Sequence, residues 1–385
     1  MTGTRPRRIL MIAGEASGDH LGADLAAQIL ALAPACEIFG MAGERMRASG
    51  VSAVVNTEEV SGMGATELAS TIGPILAAFR QLVKLLRRDP PDLVILIDFP
   101  DFNLKFAWFA RRAGVPVLYY VPPQVWAWRR WRIRTLVKRA DQLAVVFPFE
   151  APLYERAGGR VTFVGHALLD RVQPAQDRTA TLDRHGFKTR ARLLALLPGS
   201  RRGEIRYLLR PMLEAARVLR TDHDLEPVIA LANTLSVEDL RSIAGPEALA
   251  GVRIIEGDTY SIIAASELAL VASGTATLEA ALLGCPMVIA YKMSALSYAV
   301  GRALVRGVDC VGMPNLLAGR QVVPELIQYD VTPAKLVRAA EPMLDESLRR
   351  EVIAELRALR MTLGEPGASA RVAAIALQMS DSCRK

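Results

Sequence analysis

Leu268 to Lys292, LALVASGTATLEAALLGCPMVIAYK, limits the fold of this chain more than any other stretch. Leu268 to Val271 is apolar without alternation, as a strand covered on both faces of a parallel sheet must be. Ser273-Gly274-Thr275 is a tight turn of small residues, Ala276 to Leu283 is strongly helix-forming, Gly284 ends the helix, and Pro286 opens the next strand. Strand, turn, helix and strand in so short a span require a parallel α/β layer. A helix entered through such a turn points unpaired N–H groups and its positive dipole end back at the turn, where small side chains admit a diphosphate. Glu279 lies roughly 6 Å along the helix from Thr275 at ~1.5 Å per residue, within reach of a ribose diol attached beyond the phosphates. The plainer reading is a capped, Ala-rich helix with no ligand.

A chain of 385 residues has room for two such domains. With 51% apolar and 23% charged residues it is globular, and disorder is excluded. Mean hydropathy is high at +0.22, yet charge, Gly or Pro breaks every apolar run before the ~20 residues a spanning helix needs. Ile9 to Ala13 is too short for a signal-peptide core, so the protein is expected in the cytoplasm. Cys36, Cys285, Cys310 and Cys383 have neither metal nor disulfide spacing and read as reduced thiols. The net charge of +7 points to an anionic partner: nucleic acid, a phosphorylated small molecule or acidic lipid.

The first half opens with the strand Arg8 to Ala13, the loop GEASGDHLGA, and a helical period from Asp24 to Leu32. Gly14, Ser17, Gly18 and Gly22 loosely match a dinucleotide fingerprint, but Glu15 and Asp19 would repel a pyrophosphate. The loop suits a sugar or one wall of a cleft; it reads equally as a simple helix start. Asp92 to Ile97 is a buried strand whose carboxyl end carries Asp98, the position for a general base in an open α/β sheet, or merely for a helix-entry hydrogen bond. Asp101 reads as the N-cap of a helix from Phe102 to Arg112.

Two stretches are basic. In the helix ending at Arg88, Ile75, Leu76, Phe79, Leu82, Val83 and Leu86 form an apolar stripe flanked by Arg80, Lys84, Arg87 and Arg88. It covers a sheet, or lies on an anionic membrane. Further on, Trp126, Trp128 and Trp131 interleave with Arg129, Arg130 and Arg132. Such a patch stacks bases or sits among lipid headgroups, and without a nucleic-acid module the lipid reading is preferred over nucleic acid or a plain surface helix.

The domain reading is an N-terminal Rossmann-like domain over 1–168, a polar linker over 169–190, a second Rossmann-like domain over 191–345, and C-terminal helices over 346–385 returning to the first domain. In the second domain, Arg192 to Leu197 runs into Pro198-Gly199-Ser200-Arg201-Arg202-Gly203-Glu204, where Ser200 and one of the two arginines could meet the phosphates held at Ser273-Gly274-Thr275. Asn315 to Gln321 offers amides for sugar hydroxyls.

With these residues named, the sequence resembles the lipid-A-disaccharide synthases, membrane-associated glycosyltransferases of the lipid A pathway. The likeness is carried by IAGEASGDHLGA at Ile12 to Ala23, IDFPDFN at Ile97 to Asn103, VWAWR at Val125 to Arg129, LLPGSRRGE at Leu196 to Glu204, ASGTATLEAALLGCPMV at Ala272 to Val288 and PNLLAGR at Pro314 to Arg320. It implies a GT-B fold, α/β with two Rossmann-like domains facing a central cleft. It also implies inverting transfer without a metal or other cofactor, from UDP-2,3-diacylglucosamine to 2,3-diacylglucosamine 1-phosphate (lipid X), giving a β-1,6 disaccharide and UDP.

By this similarity Asp98 is the base for the acceptor 6-hydroxyl and Glu279 holds the ribose. Ser200, Arg201, Ser273, Gly274, Thr275, Asn315 and Gln321 complete the donor site, while Glu15, Ser17, Asp19 and Asp101 line the acceptor side. Trp126, Trp128, Arg129, Arg130, Trp131 and Arg132 meet the inner face of the inner membrane, on which the enzyme is peripherally bound. Relatives suggest a homodimer with exchanged C-terminal parts, and the apolar final helices suit a dimer and a monomer alike. Pro123 and Gln124 stand where small hydroxyl residues are expected, and Arg202 follows Arg201 where one arginine is usual. The rival readings are a UDP-sugar 2-epimerase of the same fold and a non-catalytic peripheral membrane protein with a nucleotide-sugar pocket.

Overall fold

The computed structural model describes residues 5–61, 68–123, 125, 131–295, 298 and 310–382, which fall into two compact units. Unit 1 comprises Met1–Asp170 and Leu363–Lys385, and unit 2 comprises Arg171–Thr362.

The described strands of unit 1 are β1 (Arg8–Ala13), β2 (Glu37–Ala42), β3 (Ser52–Asn56), β4 (Leu93–Ile97), β5 (Val117–Tyr120), β6 (Gln142–Val145) and β7 (Val161–Phe163). Their order is β3-β2-β1-β4-β5-β6-β7, and every pairing is parallel. All five residues of β4 are buried, which is why its sequence shows no alternation. One face of the sheet packs under the helices Leu68–Arg88 and Pro100–Arg112, where Phe79 meets Phe102, Phe106 and Phe109 edge-on. Across the other face the helix Ala16–Leu32 packs against the final helix, Ala368–Ser382. That return is fastened by His166 N–H to the Leu363 carbonyl at 3.1 Å and by Arg371 to the Val164 carbonyl at 2.8 Å.

Unit 2 repeats the plan with β8 (Arg192–Leu197), β9 (Leu225–Leu231), β10 (Arg253–Glu256), β11 (Ser266–Ala272), β12 (Met287–Tyr291) and β13 (Glu325–Ile327), in the order β10-β9-β8-β11-β12-β13, all parallel. In each sheet the winding direction reverses once, between β1 and β4 and between β8 and β11. At such a reversal neighbouring loops diverge at the carboxyl edge and leave a crevice.

The division differs from the sequence reading in two places. The helix Glu346–Thr362 belongs to unit 2, because Val352, Leu356 and Leu359 are buried in that unit's core. Only the helix that follows it joins unit 1. The stretch read as a polar linker over 169–190 also folds into unit 2 from Arg171, with Leu182, on the helix Arg178–Arg184 capped by Asp177, and Phe187 in the same core. Its charged composition masked those two anchors. No described helix is long and apolar enough to cross a membrane.

Candidate active site at two sheet edges

At the unit 2 reversal, β11 ends in the turn at Gly274 and the helix Thr275–Leu282 begins. Gly274 has φ +152, a conformation that favours glycine, and a Cβ placed there would meet nothing within 4 Å. Glycine is therefore required by the backbone and not by packing, and the turn stays open. Thr277 builds it from behind: its hydroxyl donates to the Gly274 carbonyl at 2.8 Å and accepts from Met313 N–H at 3.3 Å. The Ser273 hydroxyl donates to the Val311 carbonyl at 2.9 Å, whereas Thr275 is exposed.

Beside it, the loop after β8 is shaped by Glu204, which accepts from Ser200 N–H at 2.9 Å, and by Thr234, whose hydroxyl donates to the Ser200 carbonyl at 2.6 Å. The two arginines separate here. Arg202 is paired with Asp239, while Arg201, at the N-cap of the helix Arg202–His223, has a side chain 73% exposed and 4.0 Å from Glu204. Both guanidinium side chains are largely exposed, 73% for Arg201 and 76% for Arg202, and they differ in that Arg202 is engaged by Asp239.

Glu279 sits one turn inside its helix, half-buried, with Oε1 accepting from the Tyr260 hydroxyl at 3.0 Å. Burial raises its pKa, opposed by the Tyr260 hydrogen bond and the charge of Arg171. Tyr260, on the helix Thr259–Ala265 that follows β10, is also pushed up, by burial first and then by the Glu279 charge. This tyrosine was missed in the sequence, although its helix opens from the same carboxyl edge. Asn315 departs from its expected role of binding sugar directly. It is fully buried, its amide donates to the Val323 carbonyl and Glu325, and its carbonyl accepts from Val322 and Val323 N–H. It braces the segment whose Glu325 caps Val311 and Gly312. Gln321 is exposed on that segment.

At the unit 1 reversal the picture is crowded. Asp98 and Phe99 both have φ +47, a left-handed conformation costing about 1 kcal/mol or more for residues with a Cβ. Two donors converge on the Asp98 carbonyl, Asn103 Nδ2 at 2.7 Å and Tyr119 Oη at 2.8 Å, and Asp98 N–H reaches the Tyr120 carbonyl at 3.3 Å. The Phe99 ring lies against Gly14, where a Cβ would come within 2.2 Å of it. That contact explains the first glycine of the GEASGD loop.

Three further expectations are corrected at this edge. Asp19 is buried and accepts from the N–H groups of Gly43, Arg45 and Met46, so it caps the helix Glu44–Ala48 and does not face an acceptor. Asp101 is not an N-cap, since the helix starts at Pro100 after Phe99; it is ion-paired with Arg132. Arg132 is itself buried, although Asp101 is exposed, so it departs from the membrane-surface role expected of it. Glu15 is half-buried at the N-cap of its helix, and Ser17 is exposed in the first turn.

Trp131 is 67% exposed. Trp126, Trp128, Arg129, Arg130 and Gln124 lie outside the described residues, as does Cys383. A second basic surface is fully described: a groove of about 460 Å³ floored by Phe79, Val83 and Phe109 and rimmed by Arg80, Lys84, Arg87 and Arg88. Among the described residues, no carboxylate pairs with any of these four cations, and Arg87 lies 5.7 Å over the Phe109 ring.

A family model described as lipid-A-disaccharide synthetase matches residues 9–379 of the chain. The chain belongs to the lipid-A-disaccharide synthase family. Curated relatives named lipid-A-disaccharide synthase agree with this. That of Geobacter sulfurreducens is 44% identical over 381 residues, covering 98% of this chain and 99% of its own, and that of Syntrophus aciditrophicus is 44% identical over 373 residues, covering 96% and 97%. Among solved structures, the calicheamicin glycosyltransferase CalG4 aligns with TM-score 0.63 at 17% identity over 99% of this chain and 100% of its own. The MnaA–UDP structure of S. aureus aligns with TM-score 0.63 at 14% identity over 95% and 94%. At such identities these likenesses speak for the fold alone, which is GT-B, and the same holds for a UDP-GlcNAc 2-epimerase from Neisseria meningitidis at TM-score 0.61 and 14% identity over 96% of this chain and 100% of its own.

Proposed function

We propose that this protein is a lipid-A-disaccharide synthase, transferring 2,3-diacylglucosamine from its UDP conjugate to the 6-hydroxyl of 2,3-diacylglucosamine 1-phosphate by inverting direct displacement. The observation that carries the reading is family membership along almost the whole chain, at 44% identity to named relatives. The two sheet edges supply the parts the reaction needs. In unit 2, the N–H groups of the turn at Ser273-Gly274-Thr275, with Ser200 and the exposed Arg201, take the diphosphate. They stabilise the charge that grows as UDP leaves, a role for which no metal is invoked. Glu279 accepts from the ribose hydroxyls, and Gln321 is left for the sugar.

In unit 1, Asp98 takes the proton of the acceptor 6-hydroxyl as it attacks the anomeric carbon, and Glu15 and Ser17 bind the acceptor sugar. Inversion follows because the nucleophile enters opposite the leaving diphosphate in one step. Acyl chains keep both substrates in a bilayer, so the enzyme works peripherally on the inner membrane face. The basic rim around Phe79 and Phe109, whose cations pair with no carboxylate among the described residues, with Trp131 and the neighbouring tryptophan–arginine segment, supports that docking at roughly 1 kcal/mol per cation. The proposal is tested by incubating the protein with both lipids and resolving the product by NMR. A β-1,6 disaccharide formed in step with UDP supports it; an epimerised donor, or no new glycosidic bond, would refute it.

A further inference from the structure

The Tyr260–Glu279 pair has a property that the ribose assignment alone does not use. A glutamate on a helix has three rotatable bonds, and a carboxylate meant to recognise a diol must be held in one orientation to be selective. Here one oxygen is already committed: Oε1 accepts from Tyr260 at 3.0 Å, while no hydrogen bond from the described residues reaches Oε2. The two residues come from different helices, Thr259–Ala265 and Thr275–Leu282, which pack on each other at the carboxyl edge of unit 2. Both side chains are half-buried, so solvent is partly excluded from the contact. The hydroxyl stays protonated and able to donate at working pH, because burial and the neighbouring carboxylate both push its ionisation up.

We infer that Tyr260 is the positioning residue for Glu279, locking Oε1 so that Oε2 faces the nucleotide sugar, and that the pair makes the site selective for ribonucleoside over 2′-deoxyribonucleoside diphosphates. This rests on the proposed role of Glu279 in holding the ribose. A site built to hydrogen-bond a hydroxyl discriminates strongly against a ligand that lacks it, because its acceptor is then left unmatched. An acceptor free to rotate finds water instead, and the discrimination fades. Tyr260 does not touch the nucleotide in this scheme; it acts through the carboxylate.

The test is calorimetric titration of the full chain with UDP and with 2′-deoxy-UDP, for the unaltered protein, Tyr260→Phe and Glu279→Gln, with melting temperatures recorded beside them. The unaltered protein is expected to prefer UDP by about 30- to 100-fold, Glu279→Gln by about threefold or less, and Tyr260→Phe by an intermediate factor near 5 to 10. The ratio of the two affinities is insensitive to a general loss of stability, which lowers both together. Equal preference in Glu279→Gln and the unaltered protein would show that Glu279 does not read the ribose and would remove the foundation. Loss of preference in Glu279→Gln with full preference kept in Tyr260→Phe would overturn the positioning role while leaving the ribose assignment standing.

Discussion

The carboxyl edge of β4 is crowded and strained, and the carboxyl edge of β11 is open. Both lie where a parallel sheet reverses its winding, so topology makes them equivalent. The residues make them different. Next to Asp98 the chain holds two consecutive left-handed residues, an aromatic ring against a glycine, and two side-chain donors on one carbonyl. Next to Gly274 there is empty space, a helix N-terminus and an exposed arginine. A group that must remove a proton along one line benefits from being fixed by its own protein, whereas a site that must admit a diphosphate has to be left vacant until the ligand fills it. The fold thus supplies two crevices of different local chemistry, and that difference is what the proposed base at Asp98 and the proposed diphosphate site at Gly274 call for.

If that division of labour is right, the edges respond differently to damage. Asp98→Asn removes the base without altering the open edge. Turnover is expected to fall by about 10³-fold or more while UDP affinity measured by titration stays within about twofold; a parallel loss of both would erase the contrast. Arg201→Ala should cost about 10²-fold in kcat through lost charge stabilisation at the leaving group. Arg202→Ala, whose guanidinium is occupied by Asp239, should stay within about threefold in the same assay, since it removes no charge proposed to meet the leaving group.

The two glycines sharpen the comparison further. Gly14→Ala drives a methyl group into Phe99 and should lower the melting transition by several degrees, an overpacking cost of about 1–3 kcal/mol. Gly274→Ala meets no atom, but φ +152 resists a Cβ, so the turn shifts and UDP affinity falls about tenfold with a smaller change in melting. The smallest effect is one of pH. As the proposed ribose acceptor, Glu279 accepts from hydroxyls most strongly when ionised, and burial raises its pKa against the opposing Tyr260 and Arg171. UDP affinity is therefore complete above the raised value and declines as pH falls through it, at a higher pH than the ~4.3 of an ordinary glutamate. Titration of UDP binding across pH checks this, and a decline only at or below the ordinary value would contradict it.

Much of the architecture was legible because parallel strands buried on both faces write themselves as unbroken apolar runs. RILMIA, LVILI and RLLALL all match strands, and the turn at Gly274 was recognisable from its small residues. The short β13 was not visible, since three residues carry no period. Charged residues given structural work were also opaque. Asp19, Asp101 and Arg132 look like functional polarity in one dimension, and only the distant N–H groups or opposite charges they meet reveal caps and clamps. Asn315 shows the same for an amide. Tyr260 was hidden for the converse reason: an aromatic in a short helix reads as core until its hydroxyl is seen on a carboxylate.

The measurement that bears most directly on the two-edge account is the rate of UDP release from the intact protein given the donor lipid alone, the acceptor lipid alone, and both, with and without EDTA. Release only when both lipids are present, unchanged by EDTA, is the predicted result. Release from the donor alone at the rate seen with both would mean that the open edge discharges UDP without a nucleophile prepared at Asp98, and would contradict it.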